Sequence, residues 1–283
     1  MLATLIIVFR EVFEAGLIIG IVLAVTGSVP HRNSWIGGGV LTGVLAACIV
    51  AASAGALSQL FEGMGQELFN AAILAVAVIM LTWHNVWMAS HGRELAGQLR
   101  TVGKAVADGN KSLLALAVVV GVAVLREGSE VALFLYGVLA SEGSGGSVLS
   151  LAVGGLAGLV LGAGVCLLTY SGLMRIPPKA LFATTTALIT LLAAGMATQA
   201  VAMLERANWL ISLDRVAWDS AWLLSDRSIA GRALHTLVGY TDQPTQMQLL
   251  VYVAVLLGTF LLMRLTASQP TGRGAAAVPE RAA

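Results

Sequence analysis

Charge is scarce in this chain: Asp, Glu, Lys and Arg make up 11% of its 283 residues, while hydrophobic residues make up 58%. Ordinary soluble domains carry roughly a quarter charged residues, and a mean hydropathy of +0.87 excludes a chain that faces water all round. At a net charge of +1, the basic residues are too few and too scattered for a nucleic-acid surface. Two cysteines, Cys48 and Cys166, both in apolar stretches, form neither a disulfide framework nor a metal motif. The stretch "GQLRTVGKA" has five residues between its glycines and no Ser or Thr after Lys104, so a nucleotide-binding loop is lacking too. A basic leader is also missing before the first apolar run, and the N-terminus is expected to stay as a first membrane span.

What remains is apolar and segmented. A helix of about 20 apolar residues crosses the hydrocarbon core, and seven stretches meet that length: roughly 2–26, 35–59, 67–90, 112–140, 147–171, 180–205 and 246–264. Short polar breaks separate them, among them "HGRELAGQLRTVGKAVADGNKS" after the third, and a long connection runs from about 206 to 245. That connection holds Trp209, Trp218, Trp222 and Tyr240 among charged residues, a composition that fits short helices at a membrane interface. The tail 265–283 reads as disordered and cytoplasmic. Residues 1–264 are therefore expected to form a single all-α polytopic membrane domain of seven transmembrane helices.

Alternate connections sort by charge. One side receives ten basic residues, including Arg32, Arg93, Arg100, Lys104, Lys111, Arg175 and Lys179, against only Glu94, Asp108 and Glu280. By the positive-inside rule that side is cytoplasmic, which places the N-terminus outside and the C-terminus inside.

Inside the first span, "FREVFEAGL" carries three charges, and "LREGSEVAL" repeats the pattern Arg-Glu-x-x-Glu 116 residues later in the fourth. The offset carries spans 1–3 onto spans 4–6. Because three is odd, the second copy is inverted, as in transporters whose ion sites lie near the midplane between repeats. Repeat one covers about 1–111 and repeat two about 112–206, with the seventh span as an addition.

At about 1.5 Å rise per residue, Glu11 lies about 14 Å and Glu14 about 18 Å below the outer end of the first span. Counted from Ala140, Glu130 is about 15 Å and Glu127 about 20 Å deep. Glu11 is thus expected level with Glu130, Glu14 level with Glu127, and all four in one ring near the bilayer centre. Arg10 reaches Glu14, and Arg126 reaches Glu130, one turn away on each helix.

A charge at the bilayer centre costs roughly 2.5 to 3.5 kcal/mol or more, so six charges call for a purpose. Paired salt bridges that fix helix packing are one, but four Glu against two Arg leave two negative charges uncompensated. A cation completes the balance. Carboxylate oxygens with no thiolate, thioether or imidazole in the motif suit hard cations rather than Cu(I) or Zn(II), and spacing alone leaves Fe(III), Mn(II), Mg(II), Ca(II) and protons open. His84 and His91 in "TWHNVWMASHGREL" are candidates for a secondary pathway, beside the plainer reading of hydrogen-bonded structural histidines. An intramembrane enzyme using the carboxylates as acid and base is disfavoured, because a paired nucleophile or metal triad is missing.

Two such motifs on the first and fourth of seven spans resemble the oxidase-dependent iron permease family, the bacterial EfeU-type proteins related to fungal high-affinity iron permeases. "TWHNVWMASHGREL" and "GYTDQPTQMQLLVYVAVLLG" are similar to family segments as well. The family's usual Gly after the first Glu is Val12 in the first copy and Gly128 in the second. The resemblance implies iron uptake across the bacterial cytoplasmic membrane, with ferrous iron oxidised outside and ferric iron passed inward. It implies Glu11, Glu14, Glu127 and Glu130 as translocation ligands, Arg10 and Arg126 as charge partners, and Asp219 in "WDSAW" as an outer-loop delivery point. The implied partners are an external iron oxidase or peroxidase, a periplasmic or surface iron-binding protein, and membrane lipid. No permanently bound cofactor and no nucleic acid is expected, only the transported ion. Import of another hard cation, or exchange of one for protons, on the same scaffold is the alternative.

Overall fold

The computed structural model describes residues 1–60, 66–142, 148–172, 178–210, 212–226 and 228–267. Eight helices run through them: α1 (Leu2–Val25), α2 (Arg32–Leu60), α3 (Gln66–Ala107), α4 (Leu113–Glu142), α5 (Val148–Tyr170), α6 (Pro178–Arg206), α7 (Ile229–Val238) and α8 (Gln246–Ala267). Five helices, α2, α3, α5, α6 and α8, contain stretches long and apolar enough to cross a membrane. Helices α1 and α4 reach 24 and 30 residues, also sufficient for the hydrocarbon core, but each carries an Arg and two Glu in its middle.

Local chemistry sets the ends. Helix α1 stops at Thr26, whose hydroxyl donates to Val22 O at 2.7 Å, and Arg32 donates to Leu23 O at 2.8 Å, closing a carbonyl left open at the helix end. At the end of α3, Gly109 takes φ of +76° while Asn110 N donates back to Ala105 O at 2.8 Å, a glycine stop. Helix α8 opens with a capping box: Thr245 Oγ1 accepts from Gln248 N at 3.2 Å and Gln248 Oε1 accepts from Thr245 N at 3.4 Å. Glu205 at the end of α6 accepts from both side chains, at 2.7 and 2.9 Å, and ties the two helices together.

One expected break is helical. The polar stretch after the third apolar segment continues α3 to Ala107, giving 42 residues and a length of about 63 Å, twice the hydrocarbon thickness. It contains no proline before Gly109, and Gly103 lies against Val25 and Thr26 of α1. Polarity there signals departure from the apolar zone, and the helix has no reason to end. The tail from residue 268, like the connections around Glu62, Ser144 and Arg175, lies outside the described residues.

The helices pair closely as α2 with α4, α1 with α5 and α3 with α6. Glycine makes the first two pairings possible. A Cβ on Gly39 would stand 2.5 Å from Ala117 O, and one on Gly43 2.6 Å from Gly121 O. On the other pair, a Cβ on Gly158 would stand 2.6 Å from Leu5 O, and one on Gly162 2.9 Å from Phe9 O. Small residues let backbones approach where lipid supplies no hydrophobic drive for association.

The contacts match residue by residue. Gly39 meets Ala117 as Gly154 meets Met1; Gly43 meets Gly121 and Val124 as Gly158 meets Leu5 and Val8; Ala47 meets Gly128 as Gly162 meets Val12. The α1 and α4 members of each match are 116 residues apart, and the α2 and α5 members 115.

The connection between α6 and α8 is folded against the bundle. Helix α7 is capped by Ser228, which accepts from Gly231 N, and ends at Gly239 with φ of +72°. Gly239 touches Gly195 of α6 backbone to backbone, and Gln199 of α6 bonds His235 at 2.7 Å. Trp209, Trp218 and Trp222 stay exposed, as interfacial aromatics do.

Candidate metal centre

Three helices bring the charged residues together. Arg10, Glu11 and Glu14 project from α1, Arg126, Glu127 and Glu130 from α4, and His84 and Asn85 from the middle of α3. Arg10 is only 1% exposed. Its Nε donates to Glu14 Oε1 at 2.7 Å and its Nη1 to Asn85 Oδ1 at 2.7 Å, while Asn85 Nδ2 donates on to Thr190 of α6 at 3.3 Å. The second arginine sits differently. Arg126 Nε donates to Glu130 Oε1 at 3.0 Å and lies 3.7 Å from Glu127 Oε1, with its guanidinium 4.5 Å from the Trp87 ring centroid and its side chain 33% exposed.

Glu11, Glu127, Glu130 and His84 each offer one donor atom, and these atoms all lie within 4.8 Å of one another. Among the described residues no donor group reaches either oxygen of the buried Glu11 carboxylate, or Oε2 of Glu127. Buried carboxylate oxygens without a donor are costly, and a shared proton or a bound cation relieves that cost. His84 bridges the two motifs: its Nδ1 contacts Glu130 Oε2, and its Nε2 lies 3.4 Å from Glu14 Oε2. Beside this cluster is a cavity of about 240 Å³ lined by Met80, Trp83, His84, Trp87, Arg126 and Glu130.

The depth count sets Glu11 level with Glu130 and Glu14 level with Glu127. In the structure a donor atom of Glu11 lies within 4.8 Å of donors from both Glu127 and Glu130, while Glu14 and Glu130 flank His84. His91 is exposed, stacked on Trp87 and bonded to Ser90 at 2.8 Å, apart from the cluster. Asp219 lies on the exposed connection, where its two oxygens accept from Ala221 N and Gln243 Nε2, each at 2.9 Å. Asn85 and Thr190 are the residues that the sequence reading passed over. The available signal was an amide beside a histidine in the middle of an apolar span, where polar groups are expensive.

A bundle of membrane-length helices enclosing a buried carboxylate cluster defines an integral membrane transporter for cations. The chain belongs to the Iron permease FTR1 family, whose pattern matches residues 1–271. It is 29% identical over 262 residues to "Ferrous iron permease EfeU" of Escherichia coli O6:H1, covering 91% of this chain and 93% of that one. It is 28% identical over 282 residues, 98% of each chain, to the protein of that name in Yersinia pestis. No solved structure matches it. The chain is therefore an iron permease of the membrane, a transporter and not an enzyme.

Proposed function

We propose that this chain imports iron across the bacterial cytoplasmic membrane through the carboxylate cluster between α1, α3 and α4. The observation that carries the reading is Glu11: a carboxylate 1% exposed that meets no donor group among the described residues and lies close to other buried carboxylates. All seven long helices then span the membrane, α1 and α4 burying their charges against one another. The matched glycine contacts support an inverted repeat of α1–α3 on α4–α6, with α8 as the added span.

Charge also bears on the oxidation state. Arg10 is spent on Glu14, so Glu11, Glu127 and Glu130 face Arg126 with a net charge of two negatives when His84 is neutral. A divalent ion balances that count, and the relatives are named as ferrous iron permeases. The ferric route, with oxidation by an external partner, needs one further anion at the site. Delivery by a binding protein or oxidase would use the exposed acidic connection around Asp214 and Asp219. Purified protein in vesicles should accumulate radioactive iron, and comparing ferrous iron held by ascorbate with ferric citrate separates the two routes. Accumulation no greater than in empty vesicles, or equal inhibition by Mg(II) and Mn(II), would sink the iron reading.

Orientation follows from charge, with the N-terminus outside. In a Cys48→Ala, Cys166→Ala background, Asp214→Cys should react with an impermeant thiol reagent on intact cells and Asn110→Cys should not. The reverse pattern would turn the cluster's access around.

A further inference from the structure

We infer that the cation is held by three carboxylates and one imidazole, Glu11, Glu127, Glu130 and Nδ1 of His84, and that Glu14 orients His84 without touching the ion. The inference rests on the import reading and assigns separate roles to residues which the motif presents as equivalent.

Geometry separates Glu14 from the rest. The four donors within 4.8 Å of one another exclude it. Its Oε1 is held by Arg10 at 2.7 Å and its Oε2 lies 3.4 Å from His84 Nε2. The opposite ring nitrogen, Nδ1, contacts Glu130, a member of the four. A histidine that binds a metal through one nitrogen commonly gives its other N–H to a carboxylate, which fixes tautomer and ring orientation. Arg10, Glu14 and His84 form that chain here, and Asn85 anchors its far end. Cation-to-donor distances near 2.0–2.2 Å bring donors to roughly 3–4.4 Å apart, so closure needs only a small contraction. The second, independent sign is the Glu11 carboxylate, buried, met by no donor group among the described residues and aimed into the same space.

The consequence is selectivity. An all-oxygen site suits Mg(II) and Ca(II), which are abundant, whereas an imidazole shifts preference toward iron and its neighbours. His84 is the only histidine the fold brings to the cluster among the described residues. The repeat supplies no partner for it, because the position 116 residues on is Ala200 in α6.

The test uses full-length protein in detergent with Mn(II) alone as the probe. Electron spin-echo spectra of bound Mn(II) should show ¹⁴N coupling that becomes ¹⁵N coupling when only histidine is ¹⁵N-labelled. The coupling should persist when His31, His91 and His235 are all changed to Gln, and vanish in His84→Gln. Mn(II) affinity should fall by roughly 10- to 100-fold in His84→Gln, with the preference over Mg(II) reduced. Glu14→Gln, which keeps an oxygen to accept from Nε2–H, should retain the coupling and lose less affinity than Glu11→Gln. Bound Mn(II) without histidine coupling in the parent would overturn the assignment with no variant required, as would a Glu14→Gln loss equal to that of Glu11→Gln. Failure of iron uptake in vesicles with the coupling intact would remove the import reading and leave the ligand set standing.

Discussion

The two Arg-Glu-x-x-Glu copies share the same three charged residues at the same spacing and are unlike as environments. In α1 the arginine is sealed in, bonded to Glu14 and to Asn85 from another helix; in α4 it is a third exposed, bonded within its own helix and laid on Trp87. The difference comes from α3, which offers Asn85 and His84 on one side and Trp87 a turn later. At the same 116-residue offset, α6 has Val201 and Ala200, which offer neither group. A duplicated motif thus supplies two negative surfaces, and a single unduplicated helix face makes them into one asymmetric site. One arginine becomes part of the interior, and the other borders a cavity.

The largest effect should come from the carboxylates that face each other. Glu11→Gln and Glu127→Gln preserve shape and remove charge, so each should lower iron uptake by more than about 100-fold with protein level maintained. Uptake assays normalised by immunoblot check this, and normal transport in both would return the motifs to a packing role.

Next in size is the contrast between arginines. Arg10→Ala strands Glu14 and Asn85 in the interior and should cost about 3 to 5 kcal/mol, the range for breaking a buried pair. Arg126→Ala loses a stacking contact and a partly hydrated ion pair, on the order of 1 kcal/mol. Thermal unfolding in detergent should rank them in that order, and equal losses would contradict the different burial. Arg10→Lys should not rescue, because an ammonium cannot present the planar fork that holds Glu14 and Asn85 together.

The glycines test the likeness of the repeats, where the motifs test their difference. Gly43→Ala and Gly158→Ala each place a methyl against a backbone oxygen and should each cost about 1 to 3 kcal/mol. Similar shifts in unfolding temperature support equivalent packing, and a large disparity breaks the equivalence.

The smallest effect lies outside the bundle. Burial holds the Asp226 carboxyl above the ordinary carboxylate range, against the lowering effect of a backbone hydrogen bond from Asp242. The folded state therefore binds its proton more tightly than the unfolded one, and stability falls as pH rises through the interval between the two values. Asp226→Asn should remove that fall, giving slight stabilisation of the outer connection at neutral pH and none below the ordinary carboxylate range. Limited proteolysis at both pH values reads it, and a loss at neutral pH would reverse the sign.

Composition alone settled that the chain is an integral membrane protein, because apolar runs of 20 or more residues have no other stable home. Spacing settled that Glu11 and Glu14, and Glu127 and Glu130, share helix faces, since three residues are nearly one turn. Which other groups join the carboxylates was decided by packing, which brings Glu11, Glu127 and Glu130 within 4.8 Å of one another and of His84 from a third helix. The length of α3 escaped because polarity marks where the membrane ends, and a helix stops only where a residue such as Gly109 stops it. His84 and Asn85 gained their meaning only in the folded chain. Nothing in their local sequence encodes the 70-odd residues of separation from α1, or the rotation of α3 that turns both toward Arg10 and Glu14. Side-chain chemistry along one helix is written in the string, and the meeting of three helices is a property of their packing.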